Sequence, residues 1–390
     1  MKVKYVTAII VVILALALLV YFYNHQFARG IKFESQPIPS EVIKSNDDLK
    51  KKETINILII EGGGVRGLIP LYLIRHIEKR LGKPIEDVFD VFSGVSTGAI
   101  IATSLNIPDA EFNRLDAEDE SIYSKTDRLI NIYENESEYI FSTPWYHNIL
   151  TVNGYLSPRF IGSRLCDVLK RNYSTELKFT SLEKYVIIPS LDIHNGKLHL
   201  FKNRGSEASN LPTNTLYQLI MAASSAEAFF TPVDFVTTGD TLSHEYFADA
   251  AITANDPASI ILHDVIENFP GKNYYVLILG SGIHPVSTMD FNYKSLKSWG
   301  KLRWFQDAIF SMSRSMDYQQ IFSLEIAESL ASTRVRYDYL NVLLIDPFIG
   351  PFDYKLIDKL KVLSDRLIEE NAEEIDQIIN YLKEEGSEGN

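Results

Sequence analysis

The run Gly94-Val95-Ser96-Thr97-Gly98 places a serine at the centre of a Gly-x-Ser-x-Gly turn. Such a turn between a strand and a helix holds the serine in a strained backbone with its hydroxyl projecting. Glycines two residues before and two after allow neighbouring segments to close on it. The helix that follows aims its N-terminal N–H groups at the serine, where negative charge develops when an acyl group is attacked. Five residues of this pattern are common by chance, so the weight rests on context. Val88 to Ser93 reads as a buried strand before the turn, and Thr97-Gly98-Ala99 as a small-residue helix start after it.

A second chemical feature lies upstream. Gly62-Gly63-Gly64-Val65-Arg66-Gly67 follows an almost wholly apolar run, Ile55 to Ile60. Consecutive glycines between a strand and a helix can present backbone N–H groups to an anion. The anion could be a nucleotide phosphate or the oxyanion of an acyl-transfer intermediate. The run lacks the Gly-Lys-Ser/Thr ending of a P-loop. As a dinucleotide fingerprint it lacks a suitable ribose carboxylate, since Glu86 and Asp87 fall in a charged loop after Gly82-Lys83-Pro84. With an elbow serine nearby, the oxyanion reading is preferred. Gly62, Gly63 and Gly64 are its candidate donors, and Arg66 either joins them or orients the loop.

A serine hydroxyl needs a base. Downstream histidines are His147, His194, His199, His244, His263 and His284, and none sits in a loop of the kind that carries a catalytic histidine. His263 lies in a helical pattern and His244 beside a strand. Asp249, in Tyr246-Phe247-Ala248-Asp249-Ala250-Ala251, is the better candidate: an acid after aromatic and small residues, entering a loop with Asn255 and Pro257. A carboxylate with a pKa near 3.9 is ionised at neutral pH and accepts the serine proton if it lies within hydrogen-bond reach. A turn-capping role fits the same spacing. Asp192 and Asp90 are further candidates, each more simply read as a turn or strand-edge residue.

The elements that must position these groups alternate. Strands of the buried type are expected at Ile55–Ile60, Val88–Ser93, Tyr185–Ser190, Leu198–Lys202, Tyr274–Leu279 and Tyr339–Ile345. Helices are expected from Leu68 to about Leu81, and at Arg159–Arg171, Thr215–Ser225, Asp256–Asn268 and Gln306–Ala331. This order predicts one α/β domain with a mainly parallel central sheet flanked by helices. Residues 24–53 read as a polar tether, and the tail from Lys355 to Glu385 as an acidic amphipathic helical stretch.

The chain has 390 residues, 46% of them hydrophobic, the composition of a globular protein. A net charge of −13 opposes binding to nucleic acid, so none is expected as a partner. The single cysteine, Cys166, precludes an intrachain disulfide and a cysteine metal cluster. Tyr5 to Tyr23 is a run of 19 residues without charge or proline. As a helix it spans roughly 28 Å, close to the thickness of a bilayer core, and it exceeds the usual core of a signal peptide. It is therefore expected to be an uncleaved transmembrane anchor. Lys2 and Lys4 favour, slightly, an N-in placement with the domain outside the cytoplasm. Around Pro144, the apolar stretch Tyr139-Ile140-Phe141, Trp145-Tyr146 and Ile149-Leu150 fits either a lid or side chains packed under a loop.

Four blocks in order resemble the patatin-like phospholipase family: Gly62 to Gly67; Gly94 to Gly98; Ala223-Ser224-Ser225-Ala226 with Phe229-Phe230 and Pro232; and Asp249 with Asn255 and Pro257. The resemblance covers roughly Ile55 to Asp346. It implies a single patatin-like domain at 54–350, after an anchor at 1–23 and the tether at 24–53, and before a C-terminal extension at 351–390. It further implies a serine hydrolase that cleaves acyl esters of phospholipids or other acyl lipids, of phospholipase A or lysophospholipase type. Ser96 and Asp249 would form a dyad without histidine, the glycine run would supply the oxyanion hole, and neither metal nor cofactor would be required.

Three departures from the family pattern stand out. Asp249-Ala250-Ala251 replaces Asp-Gly-Gly or Asp-Gly-Ala; if position 250 needs positive φ, alanine costs on the order of 1 kcal/mol and shifts Asp249. Glu227-Ala228 stands where Ala and Pro are usual, and Asn255-Asp256-Pro257 replaces Asn-Asn-Pro. A catalytically impaired lipid-binding protein, or an esterase or acyltransferase on other acyl groups, are the alternative expectations.

Overall fold

The computed structural model describes residues 2–27, 30–115, 124–238, 242–283, 301–330, 334–344 and 349–388. Their centre is a mixed sheet of β1 (Ile31–Glu34), β2 (Thr54–Ile60), β3 (Val91–Gly94), β4 (Tyr185–Asp192), β5 (Lys197–Lys202), β6 (Val233–Thr237), β7 (Ser243–Ala248), β8 (Asn273–Leu279) and β9 (Arg334–Leu340). The order across the sheet is β1-β6-β7-β4-β3-β2-β8-β9, with β5 also paired to β4. Pairing is parallel from β4 through β3, β2 and β8 to β9, and for β1 with β6. It is antiparallel for β4 with β5, β4 with β7 and β6 with β7.

The apolar run in β2 is explained by its place between β3 and β8. Leu58 and Ile60 enter one core, with Leu68, Leu71 and Ile101 from the helices at Leu68–Leu81 and Thr97–Ser104. Ile55, Ile57 and Ile59 enter the other, with Ile261, Leu262 and Val265 of Ala258–Asn268. All six residues from Ile55 to Ile60 are buried, and each apolar side chain among them is worth about 1.5–3 kcal/mol. The C-terminal helices Ile357–Glu370 and Ala372–Glu388 join the first core through Leu360, Leu367, Ile375 and Ile379. The stretch read as a tether contributes β1, which pairs Ile31 with Val233 through Glu34 with Val236.

Tyr5 to Tyr23 lies within a helix, Lys2–Phe27. Among the described residues, however, no helix is long and apolar enough to cross a membrane. This corrects the expected transmembrane helix, the single-pass N-in placement and the membrane as a partner through that helix. Near the end of the helix, Tyr23 and Asn24 are engaged with the domain. Tyr23 Oη meets His147 Nδ1 at 3.0 Å, and Asn24 Nδ2 donates to the Leu150 carbonyl at 2.8 Å. Its polar end belongs to the fold.

Candidate active site

Ser96 sits between β3 and the helix Thr97–Ser104 at φ 57°, ψ −119°, a conformation that a side-chain-bearing residue adopts only under constraint. The constraint is visible. Val95 N–H donates to the Ile60 carbonyl at 3.2 Å, and Gly98 N–H returns to the Val95 carbonyl at 2.7 Å. A Cβ on Gly98 would collide with the Ile60 carbonyl, and one on Gly94 with the backbone of Gly98. Both glycines are required because the turn is pressed onto the end of β2.

The glycine run emerges from that same end. The N–H groups of Gly62, Gly63 and Gly64 find no acceptor among the described residues, as an anion cradle needs. Gly64 has φ 59°, and a Cβ there would strike the Pro351 carbonyl. A Cβ on Gly62 would come within 2.5 Å of Asn255 Oδ1 and 3.3 Å of Ser96 Cβ. Arg66 differs from the other candidates. Its N–H closes a turn onto the Gly63 carbonyl at 3.1 Å, and its guanidinium donates to the Gly63 and Gly282 carbonyls, each at 3.4 Å. It braces the loop.

Asp249 follows β7, which runs against β4 and pairs with it through Leu191↔Ala248 and Asp192↔Phe247. That short pairing carries Asp249 to the carboxyl edge of the parallel strands, where open α/β sheets place their sites. Its Oδ1 accepts from Ala251 N–H at 2.9 Å, and its N–H donates to the Ser225 carbonyl at 3.1 Å. Oδ2 is buried without a closed hydrogen bond, and Ser96 is the side chain whose hydroxyl is felt by the carboxyl. Complete burial pushes the Asp249 pKa up to about 7; the Ser96 hydroxyl draws it down and the nearby Glu227 charge raises it. Glu227 is itself lifted to about 6 by burial. The third block laces the two residues together, because the Ser224 hydroxyl reaches the Ser96 carbonyl while Ser225 receives Asp249.

Ser96, Asp249, Gly62, Gly63, Gly64, Arg66 and Asn255 all line one cavity of about 930 Å³. Much of its remaining wall is apolar, including Phe141, Phe229, Phe230 and Phe352, whose rings pack with Phe229 and Phe352 centroids 4.3 Å apart. Phe141 is therefore part of the wall. Trp145 and Ile149 from the same stretch stand exposed.

The other candidates lie elsewhere. His147 is buried between Tyr23 and the Arg159 carbonyl, His199 packs on Phe201 and Phe247, His244 pairs with Asp234 at 2.9 Å, and His263 stands on an exposed helix face. No histidine among the described residues lines the cavity; His284 lies outside those residues. Asp192 closes a turn with Asn195 at 3.1 Å, and Asp90 binds Lys52 at 2.6 Å and the Asn56 N–H at 3.0 Å.

Two departures acquire structural meaning. Ala250 has φ −89°, ψ 0°, so the position makes no demand for glycine, and the expected displacement of Asp249 has no cause. Positive φ falls instead on Ala228, at 67°. Sequence reasoning missed the partners of Glu61, whose only signal was an acid beside the glycine run. It also missed Tyr133, whose hydroxyl meets Thr97 Oγ1 in the buried turn after the serine.

A glycine run at a strand end, a serine with positive φ and a buried acid thus meet around one largely apolar cavity at the edge of an α/β sheet. The chain belongs to the patatin-like phospholipase family, whose model matches residues 58–262. It is similar to patatin-like protein 2 of Arabidopsis thaliana, 26% identical over 64% of this chain and 65% of the relative. Patatin of Solanum tuberosum is 26% identical over 65% of this chain and 67% of the relative. Patatin-like protein 2 of Oryza sativa subsp. indica is 29% identical over 67% and 68%. The chain thus spans 65% of the length of the Arabidopsis relative. Among solved structures, VipD from Legionella pneumophila overlays on 82% of this chain and 67% of its own, with 15% identity and a TM-score of 0.35.

Proposed function

We propose that the protein is a lipid acyl hydrolase of phospholipase A or lysophospholipase type, with Ser96 as nucleophile and Asp249 as general base. The observation that carries this reading is the meeting of a strained Ser96, a fully buried Asp249 and unengaged glycine N–H groups in one largely apolar cavity. In the proposed reaction the Ser96 Oγ attacks the ester carbonyl carbon, and its proton passes to Asp249. The carbonyl oxygen becomes an oxyanion that accepts hydrogen bonds from the Gly62–Gly64 loop. Collapse breaks the ester C–O bond, and Asp249 returns the proton to the departing alcohol. Water then gives its proton to Asp249 and attacks the acyl-Ser96 ester. Breakdown of that second intermediate releases the fatty acid and returns the proton from Asp249 to Ser96.

Burial serves this scheme, because a base with a pKa near 7 is a better proton acceptor than an ordinary aspartate and is still about half ionised at neutral pH. The negative φ of Ala250, which alanine adopts without strain, supports an active enzyme over an impaired variant. Fatty-acid release from phosphatidylcholine vesicles, measured beside fluorophosphonate labelling of Ser96, is the direct test. Release that survives in both Ser96→Ala and Asp249→Ala would falsify the reading.

A further inference from the structure

Behind the glycine loop lies a pair of acids that the proposed chemistry does not use. Glu61, the residue before Gly62, is buried and well supplied with donors. Its Oε1 accepts from Tyr339 Oη at 2.7 Å, and its Oε2 accepts from Asn341 Nδ2 at 3.2 Å and Ser281 N–H at 3.4 Å. Asp256 is equally buried and poorly supplied. Its Oδ1 accepts only from Ala258 N–H, at 2.9 Å, and its Oδ2 has no partner among the described residues. The charges facing this pair are Arg66, which acts on Glu61, and Asp317, which acts on Asp256; Asp353 acts on Arg66 in turn. Tyr339 completes the titratable groups.

We infer that Glu61 and Asp256 hold one proton between them, on Asp256 Oδ2, and that this neutral acid is a positioning residue for the oxyanion loop. The charge balance requires it: one cation and three donors serve Glu61, whereas a charged Asp256 would face two other carboxylates in a dry site. Burial raises both carboxyls, and at Asp256 the charges of Glu61 and Asp317 raise it further. Two links connect the pair to the loop. Ser281 holds Glu61 through its N–H and the Gly62 carbonyl through Oγ at 2.6 Å, and Asn255, next to Asp256, lies against Gly62. Ionising Asp256 therefore pushes on the residues that seat Gly62.

The positioning half rests on the proposed function; the protonation half does not. Thermal and denaturant stability of the full chain is measured against pH for wild type and Asp256→Asn. The unfolded acid loses its proton near pH 4 and the native acid retains it. The wild-type folding equilibrium constant should therefore fall up to tenfold per pH unit relative to Asp256→Asn above that point. A gap that stays flat above pH 5 overturns the assignment. If Asp256→Asn does not fold, Glu61→Gln removes the other charge, and the wild-type slope should weaken in it; an unchanged slope again overturns the pair. Fluorophosphonate labelling tests position. Wild type should slow at alkaline pH where Asp256→Asn does not, and Asp256→Ala should lose the neutral-pH rate that Asp256→Asn restores. The same alkaline loss in Asp256→Asn overturns the positioning role. No labelling in any variant defeats the hydrolase reading, while the stability measurement still decides the proton.

Discussion

The Ser224 hydroxyl donates to the Ser96 carbonyl at 3.3 Å, across 128 positions of sequence. The next residue, Ser225, accepts the N–H of Asp249. Two adjacent serines thus gauge the separation of the proposed nucleophile and base. Removing the first should loosen that gauge without deleting a reacting group. Ser224→Ala forfeits a hydrogen bond worth about 1 kcal/mol, so labelling of Ser96 should slow by roughly fivefold. Ser96→Ala should abolish labelling, and Asp249→Asn should slow it by about 10²–10⁴. Labelling by Asp249→Asn at the wild-type rate would remove Asp249 from the chemistry.

The pH profile should carry the signature of a buried base. Asp249 must be ionised to accept a proton, so kcat/KM should rise about tenfold per unit below pH 7 and level off above it. Glu227→Gln deletes a negative neighbour that raises the Asp249 pKa, so the acidic limb should move to lower pH. An unmoved limb would show that Glu227 and Asp249 do not interact.

Stability should respond in the opposite sense. The unfolded Asp249 releases its proton near pH 4 and the native one holds it to about 7, so stability declines with rising pH across that window. Asp249→Asn cannot ionise and should melt higher than wild type at pH 8, the usual trade between activity and stability. A lower melting temperature would contradict the assigned burial cost.

Ala250→Gly tests the departure from the family pattern. Because φ is −89°, glycine gains no permitted conformation there and enlarges only the unfolded ensemble. The variant should lose about 0.4–1 kcal/mol of stability in denaturant titration and gain no hydrolytic rate. Faster turnover would mean that alanine strains the site after all.

Gly64→Ala makes the converse case. A side chain at φ 59° pointed into the Pro351 carbonyl must displace the loop or residues 350–352. Strain of about 1–3 kcal/mol is expected, with loss of Ser96 labelling at a temperature where the protein remains folded. Wild-type labelling would place the oxyanion donors elsewhere.

Local patterns made half of this site legible. The elbow and the glycine run each sit on a buried strand whose apolar residues stand out, and the parallel core followed from the same runs. Asp249 was harder, because its strand leaves Ser243, Glu245 and Tyr246 exposed, buries only Phe247 and Ala248, and carries few of the marks of a buried strand. The edge strand β9 begins at Arg334, five residues before the expected Tyr339, since Arg334 and Arg336 point to solvent along one side of the sheet. The N-terminal apolar run suggested a span because hydropathy does not record the polar contacts of Tyr23 and Asn24. Nothing local could pair Glu61 with Asp256, since burial of both is a property of the assembled sheet.

The two-residue pairing of β7 with β4 has a consequence for the order of events at synthesis. The elbow, the glycine run and the β2–β3 pair lie close together in the chain, whereas Asp249 follows Ser96 by roughly 150 positions. Domains assemble as the chain is made, from the N-terminal side. Until β7 reaches β4, the growing chain therefore holds the proposed nucleophile without its proposed base.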